Sequence, residues 1–70
     1  MTVPAHVTIA DFAKACSYSP KMARSILRRA GLLERVDGVW GVSSERLRVA
    51  LPDAFDDVQA FFEGKAETER

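Results

Sequence analysis

A single cysteine, Cys16, leaves nothing from which to build a disulfide framework and predicts a reducing, cytoplasmic setting. One histidine beside that one cysteine is too few to assemble a structural zinc site. There is no glycine-rich phosphate loop and no nucleophile paired with a base, so no catalytic residue, no cofactor and no metal are expected. Apolar runs reach only a few residues, far short of the roughly 20 that a membrane span needs. Met1-Thr2-Val3-Pro4 lacks the charged and apolar regions of a secretory leader. Membrane partners and small-molecule effectors are therefore not expected. What is present is apolar content of 47%, too high for a disordered chain. Seventy residues make one domain, read here as 1–64 with 65–70 a frayed tail, and an expected radius of gyration of about 11 Å. Such a chain buries only about 60% of its unfolded surface. It has no room for a cofactor domain beside a substrate domain.

Net charge is zero, but it is unevenly spread. Residues 1–50 carry +4 and residues 51–70 carry −4. Charge asymmetry between halves points to nucleic acid at the basic end or to an acidic tail. An unevenly charged solvated surface accounts for it equally well.

Local signals divide the chain into short elements. Thr8-Ile9-Ala10-Asp11 fits a capping box, with Val7 and Phe12 as its hydrophobic staple. Ile9, Phe12, Ala13 and Cys16 share a face, so a first helix is predicted from Ile9 to Cys16. Ser19 caps a second helix with Pro20 at its first position and Gly31 just past its end. Its apolar stripe is Ala23, Ile26, Leu27 and Ala30. Opposite lie Lys21, Arg24, Ser25 and Arg28, with Arg29 at the flank. Leu32–Val36 and Val39–Val42 form a hairpin around Asp37-Gly38, a pair that accepts positive φ. Ser43 or Ser44 caps a third helix, Glu45 to Leu51, with Leu47, Val49 and Leu51 as its apolar residues, and Pro52 ends it. A fourth helix is predicted from Asp53 or Ala54 to Glu63, with Gly64 as its stop and Phe55, Val58, Phe61 and Phe62 on one broad face.

Helix, tight turn, helix, hairpin and helix follow one another in the order of a winged helix-turn-helix, a mainly α fold with a small β-hairpin. Phe12-Ala13-Lys14-Ala15-Cys16-Ser17-Tyr18-Ser19, followed by Ala23 and Ile26, resembles the helix-turn-helix pattern, with a small residue at the helix crossing. Arg35 through Leu47 resembles the wing and following helix of the excisionase and MerR-like group. The resemblance covers about Val7 to Leu51. It departs at Ser17, where the pattern usually carries glycine, and at Asp37, an acid at a wing tip that is often basic. Helix contacts are accordingly expected to matter more than wing contacts.

The resemblance and the basic stripe together imply double-stranded DNA as the partner, bound through Lys21, Arg24, Ser25, Arg28 and Arg29 on the second helix and through Arg35 beside the wing. Action would come from occupying or bending DNA, as an excisionase-like architectural factor or a small transcriptional repressor of phage or mobile-element type. Further copies of the chain on the same DNA are allowed partners, and the setting implied is the cytoplasm, on the nucleoid. The plainer alternative is that Lys and Arg only solubilise an exposed amphipathic helix; charge, spacing and element order together favour DNA. The rival function is a protein-interaction or oligomerisation module that docks through the aromatic fourth helix. Other conspicuous residues have plain readings: His6 as a surface residue, Cys16 as a small core hydrophobe, Tyr18 and Trp40 as packing groups. Adjacent Asp56 and Asp57 point about 100° apart and cannot flank one substrate atom.

Overall fold

Backbone donors at helix starts need acceptors, and this chain supplies them locally. The computed structural model describes residues 3–68, of which 65–68 are described by backbone alone. The Thr8 hydroxyl accepts from the Asp11 amide at 3.2 Å and opens α1, Ile9–Cys16. Only this half of the expected capping box forms, Asp being a methylene shorter than the usual Glu. Ser17 ends α1 at φ 59°, and the Tyr18 amide donates back to the Ala13 carbonyl at 2.8 Å. The turn that glycine usually makes is thus made by serine. Ser19 accepts from the Met22 amide at 3.2 Å and opens α2, Pro20–Arg29. Gly31, at φ 72°, then lets the Leu32 amide reach the Leu27 carbonyl at 2.9 Å.

Preceding α1 is a strand absent from the sequence reading, β1, His6–Thr8. It pairs antiparallel with β3, Val39–Ser43, which also pairs with β2, Glu34–Val36. The hairpin is therefore the larger part of a three-stranded sheet in the order β1-β3-β2. Asp37 at φ 53° and Gly38 at φ 81° make the expected two-residue turn. The first hairpin strand begins at Glu34 rather than Leu32, because the Leu32 and Leu33 amides are spent on the Leu27 carbonyl at the end of α2. Gly41 faces β1 so closely that a Cβ there would collide with the Val7 carbonyl oxygen.

Ser43 caps α3, Ser44–Ala50, by accepting from the Arg46 amide, while the Ser44 amide donates to Ala5 at 2.9 Å. Leu47 is buried and Leu51 half-buried, but Val49 is 76% exposed. Two residues on an α-helix turn through about 200°, so Val49 cannot share the face of Leu47. The expected stripe on α2 also narrows: Ala23 and Leu27 are buried, Ile26 is half-buried and Ala30 is exposed.

Helix α4, Pro52–Thr68, starts one residue earlier than expected and runs straight through Gly64. Glycine stops a helix when it turns left-handed, and Gly64 does not have positive φ. The frayed tail expected from Lys65 is accordingly helical through Thr68, and residues 69–70 lie outside those described. Helix α4 packs on α1 and α3, sealing a core in which Val7, Phe12, Leu27, Val42, Leu47 and Val58 are fully buried. Phe55 and Phe62 pack partly buried against that core, and Phe61 stacks edge-on to Phe62 at 5.2 Å. The radius of gyration is 11.2 Å. Among the described residues, no helix is long and apolar enough to cross a membrane.

Candidate nucleic-acid interface

Burying Ala23 and Leu27 against α1 fixes which way the rest of α2 faces. Lys21, Arg24, Ser25, Arg28 and Arg29 are all exposed. At about 100° per residue, Lys21, Ser25 and Arg28 occupy the centre of the outward arc, with Arg24 on one flank and Arg29 on the other. The helix carries four cations and no acidic residue. Among the described residues, none of these cations is held in an ion pair.

Arg35 sits apart in sequence, exposed on β2, directly opposite Trp40 on β3. Its guanidinium lies near Gly38 at the turn, 4.0 Å from where a Cβ would stand. The link to α2 is Trp40. This side chain precedes Val42 by one strand repeat on the sheet face that packs on the helices, and it lies at the outer end of that face. There the Arg24 guanidinium carbon stands 5.8 Å from the Trp40 ring centroid, within reach of a cation–π interaction. Trp40 is 41% exposed, so the expected packing role is only half realised: the ring braces an arginine at the surface instead of filling the core. A continuous exposed surface thus runs from Arg29 across α2 to Arg24, Trp40 and Arg35.

Two members of this surface, Trp40 and Met22, are not among the site residues read from the sequence, where Trp40 is weighed mainly as a packing group and secondarily as a base-stacking one. Trp40 belongs to it through a contact between distant elements, which no local spacing signals. Met22 was legible: it is an apolar side chain at the border of the polar arc, beside Arg29, and it is 52% exposed. Together with Ser19, Lys21, Ser25, Ile26 and Arg29 it lines a shallow depression of about 400 Å³. A larger groove, about 870 Å³, runs between the N-terminal segment, α3 and α4. Its rim mixes Arg48 with Glu45 and Glu63, and none of its lining comes from α2. Such a rim does not attract phosphate.

The remaining chemical groups lie outside this surface. The Cys16 thiol is partly buried and points at the Ala54 carbonyl oxygen, 4.0 Å away. Burial first, and then the nearby Asp57 carboxylate, push its pKa up and keep it a thiol. His6 is half-buried instead of lying on the surface: β1 places it beside Gly41, where the missing side chain leaves room for the imidazole. Its Nε2 is shielded from solvent and has no hydrogen-bond partner among the described residues. Tyr18 packs its ring on Phe12 at 6.2 Å. Among the described residues, no group of three or more His, Cys, Asp or Glu side chains converges to hold a metal ion. Comparison with protein-family models, with curated proteins and with solved structures finds no match to this chain.

Proposed function

We propose that this chain is a winged helix-turn-helix domain that binds double-stranded DNA, with α2 in the major groove and the β2–β3 hairpin as the wing. The observation that carries this reading is the outward face of α2: four cations in no ion pair among the described residues, and no acid, on a helix whose other face is locked into the core. An α-helix about 10–12 Å across suits a groove about 12 Å wide. Lys21, Arg24 and Arg28 supply groups that bond phosphates and guanine edges, and Ser25 between them is short enough to let the helix approach. Arg29 and Arg35 flank the helix and serve the backbone on either side. The proposed effect on DNA is occupancy or bending, the action of an excisionase-like architectural factor or a small repressor.

The rival, a protein-interaction module, has one observation in its favour: the groove beside Phe55 between α3 and α4. A titration with duplex DNA at several salt concentrations separates the two. Each neutralised phosphate contributes about −0.9 to the slope of log K against log salt, so four or five contacts give roughly −4. Absence of binding at low salt removes the DNA reading and promotes the module.

A further inference from the structure

Two apolar side chains border the polar arc of α2 on the side of Arg29. Met22 is 52% exposed, and Ile26, one turn further on, is half-buried at its foot. The depression they floor is rimmed by Lys21 and Arg29, and no carboxylate contributes to its lining. Its geometry combines a small apolar seat with a cationic edge, at the Arg29 side of the candidate interface.

We infer that this depression receives the 5-methyl group of a thymine, which makes Met22 a specificity-determining contact. The inference rests on the reading of α2 as the DNA-contacting helix. In the major groove, the thymine methyl is the apolar feature that distinguishes its base pair, so an apolar seat there selects it. A polyanion matches the rim, because Lys21 and Arg29 meet phosphates beside the seated base, whereas an apolar protein partner would leave both charges unpaired. Methionine suits the task mechanically: it is unbranched and polarizable, and it conforms to a small convex group. Ser19 and Ser25, both short, leave the seat open from either side.

The test uses the full chain and duplexes enriched from a randomised library. The enriched duplex is resynthesised with deoxyuridine in place of thymidine, which preserves base pairing and removes only the methyl groups. Binding is expected to weaken about fourfold for each methyl seated, and Met22→Ala is expected to bind the two duplexes equally. Equal binding of both duplexes by the unaltered chain overturns the inference and leaves DNA binding standing. Discrimination that persists in Met22→Ala overturns it too, because the methyl is then sensed elsewhere. Failure to enrich any duplex overturns the inference, and absence of binding to the unselected library at low salt overturns the DNA reading with it.

Discussion

Ser17 holds φ 59° and ψ 37°, a left-handed conformation that costs a residue with a side chain about 1–2 kcal/mol. The cost is borne at the turn that sets the angle between α1 and α2, and so the direction in which the basic arc faces. Ser17→Gly removes the steric term while adding freedom to the unfolded chain. The net expectation is a gain of up to about 1 kcal/mol, read as a rise of about 4–8 °C in melting temperature per kcal/mol. A lower melting temperature would show that the serine side chain contributes more than its backbone strain takes away. Single residues were legible where their job is local. Ser19 as a cap, Asp37-Gly38 as a turn and Gly31 as a helix end each act within a few residues of themselves. Trp40 and His6 were not legible, because their surroundings come from Arg24 and Gly41 in other elements.

Among the elements, α1 and α2 emerged with their sequence-derived starts because capping chemistry and apolar spacing agree there. Strand β1 is only three residues long, too short for a periodic pattern, and its ladder partner β3 lies on the far side of both helices in the chain. The reach of α4 was missed for a different reason: glycine as a stop depends on its φ, which identity alone does not set. What α4 contributes can be measured. Val58 is fully buried, and Phe55 and Phe62 lie partly buried on the same core. Truncation after Leu51 withdraws these three side chains, on the order of 5 kcal/mol, from a domain holding about 5–10 kcal/mol in total. The fragment is expected to show no cooperative melt by circular dichroism. A transition at the full-length temperature would show that α4 is dispensable to the core and free to dock elsewhere.

At the scale of the whole molecule, the two charge signs separate by element. Helix α2 is purely basic, while Asp53, Asp56, Asp57 and Glu63 are exposed on α4, which packs against α1 and α3. The order of the four helices and the hairpin, though not β1, and this polarity were readable from the chain. The placement of the hairpin beside α2, which brings Arg35 and Trp40 to the basic arc, depends on long-range packing and was not. The proposed interface therefore makes its sharpest demand on charge. Lys21, Arg24, Arg28 and Arg29 are exposed and outside any ion pair among the described residues, so replacing all four with glutamine leaves the core intact. Measuring duplex-DNA affinity of this variant beside the unaltered chain, across a salt series, puts the claim most directly at risk. The salt slope is expected to collapse from roughly −4 to about −1, the share of Arg35, with affinity at low salt falling in parallel. An unchanged slope and affinity would contradict the assignment of α2 as the surface that meets DNA.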